Sequence, residues 1–246
     1  MEIRKHKKLN PQIWGKDNLL KKPVSDMIML IMRSYLDSIR VLQHIDIDES
    51  DIRDVFVYGS SANYFYTKKS DIDICIVIDF DSVAAKNPNV AVNAQNFKLF
   101  YYNWAMTHHC KIYGRKTDVS IEKANNYFFA NRYRSGPCWS VIKNEWTFKP
   151  IIVSDAEFKT IRSQARYVYK QMMHDFRRVR RNGMTMLDTK KMYDNIYASK
   201  NATHYANADQ PITYMYIAFR KIRDRGIIAK LRDRMVELES KDFVLK

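Results

Sequence analysis

Gly59-Ser-Ser-Ala-Asn-Tyr-Phe-Tyr-Thr-Lys-Lys-Ser-Asp-Ile-Asp73 lies between two apolar runs, Asp54-Val-Phe-Val-Tyr58 before it and DIDICIVI, Asp71 to Ile78, at its end. Both runs are short, rich in β-branched and aromatic residues, and bounded by glycine or polar residues, which predicts buried strands. The second alternates at first and then turns continuously apolar, as a central strand does when both faces are covered. Asp71 and Asp73 stand at its beginning. Residues two apart on a strand share a face, so the two carboxylates repel each other unless a cation sits between them. Hard, oxygen-seeking Mg²⁺ suits such a pair.

Upstream, Gly59 offers a backbone without a Cβ at a predicted strand-to-helix turn. Ser60 and the amides after it could donate hydrogen bonds to phosphate at that helix N-terminus. Ser61, Lys68 and Ser70 on the same connection are further candidates for holding a nucleoside triphosphate. Downstream, Lys116 to Ile121 (KTDVSI) predicts a third strand with Asp118 on one face. Three carboxylates could cage two divalent ions about 4 Å apart for in-line phosphoryl transfer. Two Mg²⁺ ions are expected, with Mn²⁺ as a substitute. Asp79, Asp81 and Glu122 are neighbouring acids, although Asp79 and Asp81 fall at the far end of the strand that Asp71 begins.

Gly59-Ser60, Asp71-x-Asp73 and Asp118 on a later strand together resemble the signature of the polymerase-beta-type nucleotidyltransferase superfamily. That resemblance covers about residues 52–122 and implies transfer of a nucleoside monophosphate from an NTP. It implies that Asp71 and Asp73 bind both metals, that Asp118 joins the metal activating the acceptor, and that Ser60 contacts the NTP phosphates. The segment departs from the superfamily's commonest pattern at Asn63-Tyr64-Phe65-Tyr66, which replaces a second small or glycine-rich turn. More loosely, Leu9-Asn-Pro-Gln-Ile-Trp14 and Ala218-Phe-Arg-Lys-Ile-Arg-Asp-Arg-Gly-Ile227 resemble uncharacterised nucleotidyltransferases encoded by tailed phages.

Outward from this core, Val24, Met27, Ile28, Ile31, Tyr35, Ile39 and Leu42 recur at helical spacing behind Pro23 and predict an amphipathic helix. Residues 93–109 predict a second. After residue 154 the pattern becomes helical throughout, with helices expected over 158–181, 187–200 and 211–238. The reading is therefore an α/β (α+β) nucleotidyltransferase core with a small mixed sheet over 1–150, then an all-helical basic domain over 151–246.

The 246 residues carry 42 Lys or Arg against 27 Asp or Glu, a net charge of +15. Such a surface attracts polyanions, and the excess is denser after residue 150. Lys159 to Arg181 holds eight basic residues against one Asp, with Tyr167, Tyr169 and Phe176 interleaved. Arg162, Arg166, Lys170, Arg177, Arg178 and Arg181 on that helix are candidates for tracking a nucleic-acid backbone, with aromatics to stack on bases. Arg132 and Arg134 could extend that surface or grip the triphosphate. The tyrosines at 193, 197, 205, 214 and 216 have core spacing and carry no assigned role.

Cys75, Cys110 and Cys138 lack CxxC spacing, which argues against a disulfide framework or structural zinc site and fits a reducing cytoplasm. His108-His109-Cys110 points its side chains in different directions on a helix and reads as packing or surface. No apolar run approaches bilayer length, so no membrane partner is expected. The expected reaction is attack by an acceptor hydroxyl on the NTP α-phosphorus with loss of pyrophosphate. Charge favours an RNA 3′ end, tRNA-like, as acceptor. The alternatives are transfer to a protein, a small molecule or a second nucleotide, and a non-catalytic nucleic-acid-binding protein that keeps the fold.

Overall fold

A computed structural model describes residues 4–68, 70–124, 136–201 and 212–244. The chain divides into two compact units, Arg4–Ile152 and a second from Val153 onward.

In the first unit, α1 (Lys22–Gln43) begins with Pro23 in its opening turn and ends at His44 in left-handed backbone, φ 53°. It buries Val24, Ile28, Tyr35 and Ile39 of the expected stripe together with Met32 and Leu36, while Met27 and Ile31 are partly buried against the core. Leu42, expected to close that stripe, is instead 70% exposed in the last turn. Strands β1 (Ile52–Tyr58), β2 (Ile72–Ile78), β3 (Lys111–Ile112), β4 (Arg115–Lys123), β5 (Cys138–Ser140) and β6 (Glu145–Phe148) form one mixed sheet in the order β3-β4-β2-β1-β5-β6. The β2–β4 pairing is parallel and the other four are antiparallel. Helices α2 (Phe80–Lys86) and α3 (Ala94–His108) lie between β2 and β3 in the chain, the long excursion a parallel pair requires.

Alternation divides the sheet into two faces. Val55, Val57, Ile72, Ile74, Ile76, Ile78, Val119 and Ile121 join α1 and Phe97, Tyr101 and Trp104 of α3 in the main core. Phe56, Cys75, Val77 and Cys138 cluster on the other face with Tyr58 and Ala124. Central β2 is therefore covered on both sides, as its apolar run requires.

The N-terminal segment packs into this unit. Leu9, Ile13 and Trp14 are buried, and Trp14 stacks on Trp146 at 4.6 Å and meets Trp139 edge-on at 5.7 Å. Each such aromatic pair adds about 0.5–1.5 kcal/mol beyond its buried area. Strands β3, β5 and β6 and helix α2 are too short to leave a periodic signal in the sequence.

The second unit holds four helices among the described residues: α4 (Asp155–Arg181), α5 (Met186–Asn201), α6 (Tyr214–Asp224) and α7 (Ile227–Val244). The single helix expected over 211–238 is divided at Arg225-Gly226, where Gly226 has φ 70° and leaves the helical path. Pro211, its expected first residue, lies outside the described residues. Phe176, Val179, Met192, Ile196, Phe219, Ile222, Ile227, Ile228 and Leu231 form the core, with Tyr193, Tyr197 and Tyr216 packed against it. Those three tyrosines are packing residues; Tyr205 lies outside the described residues. No helix among the described residues is long and apolar enough to cross a membrane. None of the three cysteines is in a disulfide, and burial pushes the pKa of the Cys138 thiol strongly upward.

Candidate active site

Strand register brings the sequence-predicted acids together. Tyr58 on β1 is opposite Asp73 on β2, Asp73 is opposite Asp118 on β4, and Tyr58 is opposite Cys138 on β5. Paired residues on neighbouring strands point to the same face, so Cys138, Tyr58, Asp73 and Asp118 form one row across the sheet. Adjacent strands lie about 4.8 Å apart, which sets the spacing of the Asp73 and Asp118 backbones. Asp71 stands just before the first residue of β2 and is exposed, as is Asp118; Asp73 is half-buried. Like charges directly opposite each other destabilise a sheet, so this row calls for counter-charge.

Gly59 sits directly against that row. Its φ is 72°, and a Cβ built on it would overlap the Asp73 carboxylate, with Asp73 Cγ only 2.9 Å away and Asp73 Cβ at 3.3 Å. Glycine is needed here both for left-handed backbone and for close approach to an acid.

The turn that follows differs from expectation. Gly59–Ala62 is a single 3₁₀ turn, and Asn63 returns to extended backbone. The Asn63 side chain accepts a hydrogen bond from the Phe65 amide at 2.7 Å, a local contact that competes with helix continuation. Residues 59–62 thus provide no α-helix N-terminus for phosphate.

The five triphosphate candidates fall into different environments. Gly59 and Ser60 are half-buried beside Asp73, and the Lys68 side chain is exposed. Ser61 is fully buried; its hydroxyl donates to the Tyr58 carbonyl at 3.3 Å, and its carbonyl accepts from Trp14 Nε1 at 2.8 Å. Ser70 is 3% exposed, and its hydroxyl accepts from the Thr67 amide at 2.9 Å. Both hydroxyls are engaged in shaping the loop.

Arg115, unmarked in the sequence, anchors that loop. Its Nη1 donates to the carbonyls of Thr67 at 3.0 Å, Lys68 at 3.4 Å and Ser70 at 3.1 Å. Nε and Nη2 hold Gln12 Oε1 at 3.2 and 3.1 Å. The planar guanidinium therefore clamps the chain immediately before Asp71. Its partners lie far apart in sequence, so no local pattern announces it.

A buried acid was missed as well. Asp54 takes 2.8 Å hydrogen bonds from the Ser140 hydroxyl on both carboxylate oxygens and one from the Val55 amide at 2.7 Å. Burial outweighs those bonds and raises its pKa above the ordinary carboxylate value. It lies four residues along β1 from Tyr58, roughly 13 Å at strand rise, so it belongs to the support of the sheet rather than to the row at Asp73.

His108 is held by packing, as the sequence implies: its ring stacks on Trp104 at 4.5 Å, and Nδ1 lies 2.8 Å from the Trp104 carbonyl. Among the described residues, no three His, Cys, Asp or Glu side chains are drawn close enough to cage an ion. The Asp73–Asp118 juxtaposition is one of register. The carboxylate oxygens of Asp73 and Asp118 are the hard donors that a divalent cation such as Mg²⁺ or Mn²⁺ takes.

Comparison with known families bears on this segment. Residues 21–116 match the family model described as Poly(A) RNA polymerase, mitochondrial-like, central palm domain. The matched model is that of a polymerase-beta-type nucleotidyltransferase family. The matched segment takes in α1, β1, the Gly59 turn, β2, α2, α3 and β3. The match stops just short of Asp118, which follows on the strand that Arg115 opens. Comparison with curated proteins and with solved structures gives no match.

In the helical unit, Arg162, Arg166, Lys170, Arg177, Arg178 and Arg181 are all exposed on α4. At 100° per residue, all but Arg178 fall within an arc of about 100°, a stripe roughly 28 Å long. The opposite side buries Phe158, Ala165, Phe176 and Val179. Arg178 leans on Asp175 at 3.4 Å and Arg162 lies over the Phe158 ring at 5.8 Å. Arg132 and Arg134 lie outside the described residues.

Proposed function

We propose that the protein is a metal-dependent nucleotidyltransferase that moves a nucleoside monophosphate from an NTP to an RNA 3′ hydroxyl. The observation that carries the reading is Asp73 opposite Asp118 on one face of a nucleotidyltransferase palm, with Gly59 packed against Asp73. The acceptor oxygen bonds to the α-phosphorus, the bond from that phosphorus to the bridging β-oxygen breaks, and pyrophosphate leaves. Bound divalent cations supply a lowered pKa for the acceptor hydroxyl and neutralise charge on the leaving pyrophosphate. Asp71, Asp73 and Asp118 are the residues that would hold them. Ser60 and Lys68, with side chains not engaged as those of Ser61 and Ser70 are, would meet the triphosphate beside Gly59.

The RNA acceptor rests on two supports. The matched family is described by a poly(A) RNA polymerase, and the α4 stripe presents the positive charge that a phosphate backbone requires.

The test is incubation with α-labelled NTPs, Mg²⁺ and RNA, comparing the wild type with Asp71→Ala, Asp73→Ala and Asp118→Ala and with chelated controls. Label is expected in RNA for the wild type only, with each variant reduced at least about a hundredfold. Equal labelling by all four proteins overturns the reading. Label migrating with protein or a small molecule reassigns the acceptor.

A further inference from the structure

Residues 6–14 meet the loop between β1 and β2 at three places. The His6 amide donates to the Tyr64 carbonyl at 2.8 Å, its ring stacks on Tyr66 at 3.9 Å, and Nε2 donates to the Tyr66 carbonyl at 3.1 Å. Gln12 Oε1 accepts from two N–H groups of Arg115, the guanidinium that also holds the Thr67, Lys68 and Ser70 carbonyls. Trp14 Nε1 donates to the Ser61 carbonyl at 2.8 Å in a buried position. Ser61 directly follows Ser60, and Ser70 directly precedes Asp71. The segment therefore grips the loop next to a residue assigned to the triphosphate and next to a residue assigned to metal.

The segment is firmly anchored. Leu9, Asn10, Ile13 and Trp14 are buried, and the Asn10 carbonyl accepts from the Ile13 and Trp14 amides at 3.0 and 2.9 Å. Trp14 packs against Trp139 of β5 and Trp146 of β6. The bonds that the loop makes to its own neighbourhood, Ser61 to Tyr58, Asn63 to Phe65 and Thr67 to Ser70, join residues two or three apart. Such bonds shape turns without fixing where the ends of the loop stand over the sheet. Burial of Ala62, Tyr64 and Phe65 holds its middle. The contacts from Trp14, and from Gln12 through Arg115, fix its two ends. A loop ordered in advance spares the binding energy that would otherwise order it.

We propose that residues 6–14 are a positioning strap for nucleotidyl transfer, in which Trp14 places Ser60 through the Ser61 carbonyl and Gln12 places Asp71 through Arg115 and the Ser70 carbonyl. The assignment rests on the transfer reaction proposed above. Trp14 and Gln12 are positioning residues, acting through the backbone of the loop. Loss of the Trp14 N–H leaves a buried carbonyl without its donor, and the Ser60 end shifts to find another. Loss of the Gln12 acceptor frees the Arg115 guanidinium to turn, and the carbonyls beside Asp71 move with it. The two ends therefore fail differently, the first in holding the NTP and the second in the chemical step.

The test uses Trp14→Phe, Gln12→Met and Gln12→Glu in the full chain. Trp146→Phe is the matched control, because Trp146 Nε1 donates to the Asn18 carbonyl at 2.9 Å, a bond of the same kind that does not reach the loop. Steady-state kinetics with varied NTP, thermal melts, and hydrogen–deuterium exchange of the amides of residues 60–71 without nucleotide are recorded for each. Trp14→Phe is expected to raise KM for NTP about three- to tenfold, and Gln12→Met to lower kcat by about the same factor. Gln12→Glu keeps the acceptor and is expected to restore kcat to within about twofold. Trp146→Phe should lower the thermal midpoint and leave both constants unchanged. Loop amides should exchange faster in Trp14→Phe and Gln12→Met than in the control. Kinetic constants unchanged in both of those variants, or altered equally in the control, overturn the strap, as does a failure of Gln12→Glu to restore kcat. A wild type that transfers no label sinks the proposed function instead; faster loop exchange in the two variants then leaves the strap standing, and unchanged exchange overturns it too.

Discussion

Replacing Gly59 with Ala separates the role of the Asp73 carboxylate from the stability of the fold. The residue has φ 72°, and left-handed backbone costs an L side chain about 1–2 kcal/mol. For a chain of this size that is a fall of about 2–8 °C in thermal midpoint. The second cost falls on Asp73: its Cγ lies 2.9 Å from the new Cβ, whereas carbon atoms rest at about 3.5–4.0 Å. The carboxylate must retreat by about 0.6–1.1 Å or turn away. Misplacing a reacting group by about 1 Å costs on the order of a hundredfold in rate. Gly183→Ala is the matched control, because Gly183 has φ 81° but nothing within 4 Å of an added Cβ. Label transfer from an α-labelled NTP and thermal melts are recorded for both variants. The expected result is similar destabilisation in both, with a roughly hundredfold activity loss in Gly59→Ala alone. Equal activity in the two variants would show that the position of Asp73 does not matter to the reaction.

Arg115→Ala should free the loop before Asp71 and lower kcat, and Arg115→Lys should not restore it, since a single ammonium cannot reach the Thr67, Lys68 and Ser70 carbonyls and Gln12 together; steady-state kinetics decide this, and full rescue by Lys would refute the clamp. Asp54, with its pKa raised by burial, binds its proton more tightly folded than unfolded, so its ionisation weakens the fold as pH rises through and above its unfolded value of 3.8. Asp54→Asn does not titrate, so its thermal midpoint should gain on the wild type between about pH 3.5 and pH 7; a pH-independent difference would contradict the assignment. On α4, Arg166→Gln and Lys170→Gln should each reduce the salt slope of RNA binding by about one without affecting NTP binding, as measured by anisotropy and calorimetry. An unchanged slope would mean that the stripe is merely solvated.

Strong local patterns were legible in the sequence. The Val24-to-Ile39 stripe and the apolar runs ending at Tyr58 and Ile78 each depend on contacts within one element. The helix expected over 211–238 failed at Gly226, where one residue with positive φ outweighed an amphipathic pattern on either side. The helix expected after Gly59 failed because the Asn63 side chain captured the Phe65 amide. At Gly226 a local backbone choice overrode a periodicity that held on either side.

Chemistry that depends on residues distant in the chain was not legible. The sequence by itself determined that two strands flank the Gly59–Asp73 segment and that basic residues concentrate on the helix that became α4, because strand runs and charge density are local properties of the chain. Only the tertiary structure decided that Asp118 stands opposite Asp73, that Arg115 clamps the loop before Asp71, and that Lys111 pairs with Lys116 across the β3–β4 hairpin. Pairing register and the path of a loop are set by the packing of the whole sheet against its helices, and no stretch of sequence contains that information on its own.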